Sequence, residues 1–119
     1  MVELILYNYL SQNLPDPEAP LRQIPVFTEV PARCPNKFVV IEKTGSRNND
    51  HIETAVIAIR SYAPTLYKAA QLNEAVKSAV EGSVASSAIS AAKLNSDYNF
   101  TSREQKQPRY QAVFEITSF

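Results

Sequence analysis

The stretch that decides the fold covers residues 52–82 and reads IETAVIAIRSYAPTLYKAAQLNEAVKSAVEG. In residues 52–62 apolar side chains fall at alternating positions, and this period of two predicts a β-strand. From Pro64 onward apolar residues recur three and four positions apart, while charged and amide residues occupy the opposite side. This pattern predicts a long helix with Pro64 in its first turn and Gly82 just past its end. The alanine-rich face of the helix is flat and small, so we expect it to lie against a sheet.

The residues immediately before this stretch predict the first part of that sheet. Residues 37–44 hold four successive large apolar residues and predict a strand that pairs with residues 52–62. Residues 45–50 are turn-forming throughout and predict a polar hairpin tip between these two strands. Residues 26–30 are bounded by prolines, which predicts a short strand at the edge of the sheet.

The two ends of the chain complete the pattern. Apolar residues along one side of residues 2–14 predict a first helix, and the four prolines between residues 15 and 25 predict a loop. Near the carboxyl terminus, residues 92–100 and 110–117 alternate between apolar and polar side chains, which predicts two half-buried strands. The polar residues 101–108 form the expected loop between them.

The order of elements is therefore helix, three strands, helix, two strands. It predicts an α+β fold: an antiparallel sheet of about five strands with two helices packed on one face. Residues 1–119 are expected to form a single domain, since the length lies within the usual range and no break in composition divides the chain. A chain of this size can bury one ordinary core without disulfides or metals.

Composition argues against several classes of partner. The chain has 12 basic and 12 acidic residues, so it lacks the basic excess expected of a protein that neutralises phosphates, and we expect no direct sequence-specific binding to nucleic acid. The apolar runs are too short to span a bilayer, and no basic segment precedes an apolar run at the amino terminus. We therefore expect no membrane partner, and a chain made and kept in the cytosol unless it leaves inside a larger particle.

Few residues in the sequence suggest catalysis. Cys34 and His51 are the only members of their types, and nothing in the sequence brings them together or supplies the third group that a nucleophile pair needs. One cysteine and one histidine also fall short of the ligands that zinc requires. Gly45 and Gly82 are the only glycines and lie far apart, which excludes a glycine-rich phosphate loop.

Two pairs of neighbouring carboxylates complete the search for catalytic groups. Asp16 with Glu18, and Asp50 with Glu53, lie in predicted loops or at strand ends, where such pairs are usually solvated charges. The sequence thus predicts no catalytic, cofactor-binding or metal-binding residues, and a protein that is not an enzyme.

Aromatic residues are concentrated in the predicted last hairpin. They are Tyr98, Phe100, Tyr110, Phe114 and Phe119. The core accounts for most of them, and a protein interface accounts for the surplus, because tyrosine and phenylalanine are enriched at protein contacts as well as in strands.

Five runs of sequence resemble small tail proteins of long-tailed bacteriophages and prophages. They are VFTEVP (26–31), FVVIEKTG (38–45), SYAPTLYKAA (61–70), KLNSDYNF (93–100) and YQAVF (110–114). The order of the predicted elements is also similar to that of tail terminator, or tail completion, proteins. The resemblance covers most of the chain from about residue 24 onward. The proline-rich stretch, residues 15–25, is longer than we expect for a member of this family.

The resemblance implies a structural protein of the virion. Such proteins form a hexameric ring at the end of the tail tube, stop its growth and join it to the head. It implies three partners: further copies of the chain, the tail tube protein and a head-side connector protein. It also implies assembly in the bacterial host cytoplasm and a final location in the virion tail. The alternatives are a head-tail connector or minor capsid component, or a small α+β enzyme that uses Cys34 or a carboxylate.

The predicted hairpin tip offers a candidate assembly interface. Its residues are Arg47, Asn48, Asn49 and Asp50. Because residues 45–51 favour turns and bury little apolar surface, we expect them to be mobile in the free subunit and ordered by contact in the ring. Arg47 and Asp50 would then find charged partners only on assembly.

Overall fold

The computed structural model describes residues 2–49, 52–85, 89–101 and 107–118. The helices are α1 (Val2–Asn13) and α2 (Leu66–Gly82), and a 3₁₀ turn (Ser83–Ala85) follows α2. The strands, in chain order, are β1 (Pro15–Asp16), β2 (Ala19–Gln23), β3 (Val26–Phe27), β4 (Phe38–Asn49), β5 (Ile52–Tyr62), β6 (Ile89–Asn99) and β7 (Arg109–Ser118). The α+β class predicted from the sequence is confirmed.

Five of the strands form one sheet in the order β3-β4-β5-β7-β6. Strands β4, β5, β7 and β6 pair antiparallel in turn, so that Ile59 of β5 lies opposite Ile41 of β4 on one side and Ala112 of β7 on the other. Strand β3 is an edge strand, as predicted, but it pairs parallel with β4. The sheet is therefore mixed, and the expectation of a wholly antiparallel sheet is wrong at this edge. Strand composition does not encode direction, and the long connection over residues 28–37 permits the parallel pairing.

The main core lies between the sheet and the two helices. Helix α1 contributes Val2, Leu6 and Leu10, and α2 contributes a second set with the same spacing of four residues, Leu72, Val76 and Val80. This spacing keeps side chains on one face of a helix. The sheet residues that meet them are Val39, Ile41, Ala55, Ile57, Ile59, Ala112, Phe114 and Ile116.

The hairpin of β4 and β5 is longer than the sequence predicts. Residues 45–49, expected to form a turn, continue β4 and pair with β5, with Ser46 opposite Ala55 and Asn49 opposite Ile52. The pairing shifts by one residue between Lys43 and Gly45, which is a β-bulge. Pairing with the apolar strand β5 outweighs the turn preference of these polar residues, because strand formation depends on cross-strand context more than on composition.

Residues 15–23 form a small second sheet in place of the predicted loop. Strands β1 and β2 pair antiparallel, with Pro15 opposite Gln23. The hairpin is tied to the end of α1, because the Leu14 amide donates to Gln23 Oε1 (2.9 Å) and the Leu14 carbonyl accepts from the Ile24 amide (2.8 Å). The prolines are tolerated because a two-stranded sheet consists only of edges, where a missing N–H need not break a ladder.

Helix α2 begins two residues after the predicted Pro64 and ends one residue later than predicted. Thr65 is the N-cap residue, and its Oγ1 accepts a hydrogen bond from the Lys68 amide at 3.2 Å, so Pro64 precedes the helix. Gly82 is the last helical residue, followed by Ser83 in a right-handed conformation. A Cβ at Gly82 would lie 3.3 Å from the Tyr9 hydroxyl, so the missing side chain lets α1 and α2 approach closely at this point.

Strand β6 exists as predicted, but its predicted apolar face is divided between the two faces of the sheet. Leu94 lies opposite Phe114, which points into the core, whereas Tyr98 lies opposite Gln111 on the other face. The pairing shifts between Leu94 and Ser96, and one extra residue moves every later side chain to the opposite face. The expected half-buried pattern is wrong for most of this edge strand, whose residues from 93 onward are exposed.

Candidate assembly surface

A row of aromatic side chains crosses one end of the sheet on the face opposite the helices. Val39 and Ile41 belong to the core under the helices, so the alternating Phe38 and Val40 point to the other side, where they form a second apolar cluster with Tyr62. The members of the row, in order from β3 toward β6, are Phe27, Phe38, Tyr62, Arg109, Phe100 and Tyr98. We call this set the aromatic row.

Near β3 the aromatic row is buried at Phe38 and Tyr62 and partly buried at Phe27. Phe38 and Tyr62 lie opposite each other in the sheet, and their rings stack with centroids 4.4 Å apart and planes 5° apart. Phe27 meets Phe38 edge to face, with centroids 6.0 Å apart. Each of the two stacked rings is only 1% exposed, so this end contributes to stability as an ordinary core does.

Arg109 joins the buried end of the row to its exposed end. Its guanidinium carbon lies 5.7 Å from the centre of the Tyr62 ring and 4.9 Å from the centre of the Phe100 ring. Its Nη1 donates to the Tyr62 hydroxyl at 3.3 Å, and its Nε donates to the Phe100 carbonyl at 2.7 Å. A cation held over two aromatic faces is attracted by both rings, and the hydrogen bonds fix its position.

The end of the row beside β6 is exposed. Tyr98 is 41% exposed and Phe100 is 37% exposed, and their rings meet edge to face with centroids 5.9 Å apart. The Tyr98 hydroxyl accepts a hydrogen bond from Gln111 Nε2 at 2.6 Å, which orients the ring. Two exposed aromatic rings held in fixed positions can bury apolar area against a partner with little loss of side-chain entropy.

The structure divides the aromatic cluster that the sequence placed in the last hairpin. Phe114 belongs to the core, Tyr110 is half-buried, and Tyr98 and Phe100 reach the surface. Phe119 lies outside the described residues. The sequence did not single out the other members of the row, because their proximity depends on the register between strands that are distant in sequence.

The residues predicted as an assembly interface do not form the expected turn. Arg47, Asn48 and Asn49 lie in the β4 ladder, opposite Thr54, Glu53 and Ile52 respectively. Asp50 and His51 fall outside the described residues, so the expectation that Cys34 and His51 form no nucleophile pair also lies outside them. Cys34 itself is exposed, and its thiol donates to the Pro31 carbonyl at 3.4 Å.

A second polar feature, the Lys37 cluster, consists of Asp16, Glu18 and Lys37. Lys37 Nζ lies 2.9 Å from Asp16 Oδ1 and also bonds Glu18 Oε1. Asp16 is buried and also accepts a hydrogen bond from the Glu18 amide at 2.9 Å. The expectation of a solvated charge is therefore wrong for Asp16, whereas Glu18 is exposed as expected but forms an ion pair with Lys37. They attach the hairpin of β1 and β2 to the start of β4, beside an open cleft of about 600 Å³ that Cys34 also lines.

The electrostatics of the Lys37 cluster favour the charged form of all three groups. Burial acts to raise the pKa of Asp16, but its hydrogen bonds with the Glu18 amide and Lys37 outweigh burial and hold that pKa below its ordinary value. The hydrogen bond from Lys37 likewise lowers the pKa of Glu18. Burial acts to lower the pKa of Lys37, but its bonds to the two carboxylates outweigh burial and raise it.

These shifts predict how stability depends on pH. The two carboxylates stabilise the fold above their ordinary pKa values of about 4, and this contribution is lost as pH falls through their lower folded-state values. The contribution of Lys37 is present below its ordinary value of 10.5 and is lost as pH rises through its higher folded-state value. We expect Lys37→Met to lower the melting temperature most near neutral pH, with a difference from wild type that shrinks in acid.

Circular dichroism melts at a series of pH values test this expectation. Arg33→Met is the matched control, because Arg33 is an exposed loop residue and its removal should change the melting temperature little at any pH. A Lys37→Met difference that stays constant from neutral pH into acid would contradict the assignment.

Metal binding and membrane insertion were both expected to be absent from this chain. Within residues 2–49, 52–85, 89–101 and 107–118, no group of three or more histidine, cysteine, aspartate or glutamate residues is placed to hold a metal ion. In the same ranges no helix has the length and apolar character needed to cross a membrane.

Comparison with models of known protein families finds none that matches this chain, and no curated protein is significantly similar to it.

Proposed function

We propose that this chain is a structural subunit of a bacteriophage or prophage tail, and specifically a tail terminator. In this proposal copies of the chain form a ring that caps the tail tube and joins it to a head-side connector protein. The chain then acts through protein contacts in the virion tail, without catalysis. The observation that carries the proposal is the exposed end of the aromatic row.

The exposed end of the row has the properties of a contact surface for protein. Tyr98 and Phe100 are large apolar side chains at the surface, and aromatic residues with a nearby arginine are enriched among the residues that dominate binding energy. Arg109 lies against Phe100 and can become buried against a partner together with the rings of Tyr98 and Phe100. Arg109 also connects Phe100 to the buried Tyr62 through ring contacts and hydrogen bonds, so the position of Phe100 is supported before any partner binds.

The resemblance of five sequence runs to tail terminator proteins supplies the specific partners. Two of these runs, residues 93–100 and 110–114, border the exposed end of the row and the strand paired with it. The fold agrees with the order of elements that the resemblance implies, a helix, three strands, a helix and two strands in the main sheet.

A binding experiment with a double variant tests the proposal. We expect Tyr98→Ser with Phe100→Ser to weaken binding to purified tail tubes or to the head-side connector at least about tenfold, since truncating two anchors of an interface usually costs more than about 1.4 kcal/mol. The control variant is Leu21→Ser with Tyr67→Ser, which removes two exposed apolar side chains elsewhere and should bind normally.

Co-sedimentation with tail tubes and with connector rings gives the result, after circular dichroism has shown that both variants are folded. A folded wild-type protein that binds neither structure would overturn the proposal. Equal binding by the wild type and the Tyr98/Phe100 variant would show that the aromatic row is not the surface on which the proposed function depends.

A further inference from the structure

The main sheet has two long open edges. No strand within the described residues pairs with the outer side of β6, and β3 covers β4 only at Val39 and Val40. Residues 41–49 of β4 therefore present an unpaired side, and residues 42–46 are exposed throughout. An open edge offers a row of backbone N–H and C=O groups on which another strand can pair.

The directions of the strands make these two edges complementary. Strand β4 runs antiparallel to β5, β5 runs antiparallel to β7, and β7 runs antiparallel to β6. Strands β4 and β6 thus run in opposite directions at opposite sides of the sheet. If a second copy continues the sheet in the same orientation, its β4 meets β6 of the first copy as an antiparallel pair, which is the more stable type of pairing.

The two open edges also match in length and in their position along the strand direction. Following the register across the sheet, Ile41 of β4 leads through β5 and β7 to Asp97 of β6, and Ser46 leads to Ala92. Along the strand direction, the open part of β4 (residues 41–49) therefore lies level with residues 89–97 of β6. Strand β3 covers β4 only beyond this part, at the end of the sheet that carries the aromatic row.

Strand β6 is held firmly enough to act as a template. Asp97 Oδ2 accepts hydrogen bonds from Asn73 Nδ2 (3.1 Å) and Lys77 Nζ (2.9 Å), both on α2. Lys77 also pairs with Glu74 at 2.8 Å, and its hydrogen bonds to Glu74 and Asp97 raise its pKa, so the contact persists at neutral pH. The edge is therefore ordered in the free subunit, and pairing does not have to fix it.

We propose that adjacent copies of this chain join by antiparallel pairing between β6 of one copy and residues 41–49 of β4 of the next. This inference rests on the ring assembly in the proposed function and names the surface that forms it. The contact is head-to-tail, so it uses two different surfaces and leaves one of each free on every copy until the ring closes. The pairing assigns residues 47–49 to the assembly interface through their backbone.

The same edges carry features that favour a closed ring over a flat fibre. Bulges interrupt β4 between Lys43 and Gly45 and β6 at two places, and bulges increase the local twist of a strand. With 12 basic and 12 acidic residues, the copies carry no net charge that would repel one another.

Cysteine cross-linking tests the pairing directly. In a Cys34→Ser background, Ser46→Cys and Ala92→Cys place one thiol on each open edge, at the same level along the strands and on the same face of the sheet. A short bis-maleimide should then link assembled copies into a ladder of covalent multimers, while either single cysteine gives at most dimers. The matched control keeps Ser46→Cys and moves the second thiol to the exposed face of α2 with Ser78→Cys, and it should give no ladder.

The possible results separate this inference from the proposed function. A ladder with the edge pair and none with the control supports the pairing. Assembly seen by sedimentation for both double variants, with no ladder for the edge pair, overturns the pairing and leaves the proposed function standing. A wild-type protein that stays monomeric at every concentration and in the presence of tail tubes overturns both.

Hydrogen exchange on the unmodified protein provides a second measurement that needs no substitution. Alternate amides along an edge strand point outward, so those of residues 41–49 and 89–97 should exchange rapidly in the free subunit. On assembly we expect their exchange to slow at least about tenfold. Equal exchange rates for these amides in free and assembled protein would contradict the pairing.

Discussion

Truncation of Phe114 to alanine should destabilise the fold by about 3 to 5 kcal/mol, the range observed for removing a large aromatic side chain from a core. Phe114 is 1% exposed and lies in β7 opposite Ile57 of β5, in the centre of the sheet face that both helices cover. Leu72→Ala on α2 should cost about 2 to 5 kcal/mol, because Leu72 is fully buried in the same core. Urea unfolding at neutral pH measures both changes.

The control for these core variants is Tyr67→Ala on the same helix as Leu72. Tyr67 is 77% exposed, so its truncation should change the free energy of unfolding by less than about 0.5 kcal/mol. Losses below about 0.5 kcal/mol for both Phe114→Ala and Leu72→Ala would show that the packing of the helices against this face is wrong.

Truncation of Phe38 to alanine should have an effect of similar size on the opposite face of the sheet, about 3 to 5 kcal/mol. Phe38 is buried, stacks on Tyr62 and meets Phe27 edge to face, so its removal leaves a cavity and breaks two ring contacts. Phe38→Leu keeps most of the volume but loses the stacking, and we expect it to cost less than about 1.5 kcal/mol.

Phe100→Ala serves as the comparison for Phe38, because it removes a ring from the exposed end of the same row. Its ring is 37% exposed, so the loss of stability should be clearly smaller than that for Phe38→Ala. A Phe100→Ala loss equal to the Phe38→Ala loss, measured by the same urea unfolding, would mean that the row is buried along its whole length and cannot serve as a contact surface.

The sequence predicts those elements whose local pattern and tertiary environment agree. Helix α2 and strand β5 appear as predicted because a clear period coincides with a face that the core buries. Residues 45–49 were predicted wrongly because their turn-forming side chains conflict with the ladder that β5 imposes on them. In β6 the alternation identified a strand, but a bulge and the lack of a covering element at the sheet edge changed which side chains are buried.

The candidate surface was predicted in part. The concentration of aromatic residues in the last hairpin pointed to Tyr98 and Phe100, which are the exposed rings of the aromatic row. Phe38 and Arg109 were missed because they join the row only through the register of β4, β5 and β7. The Lys37 cluster was missed for the same kind of reason, since Lys37 is distant in sequence from Asp16 and no local pattern indicates that they meet.

Electron microscopy of the purified protein mixed with tail tubes tests the central claim most directly, because a tail terminator must form a ring at a tube end. We expect rings built from copies of this chain to occupy one end of each tube, and the Tyr98→Ser/Phe100→Ser variant to leave tube ends bare. Folded wild-type protein that remains monomeric and leaves the tube ends bare would contradict the account.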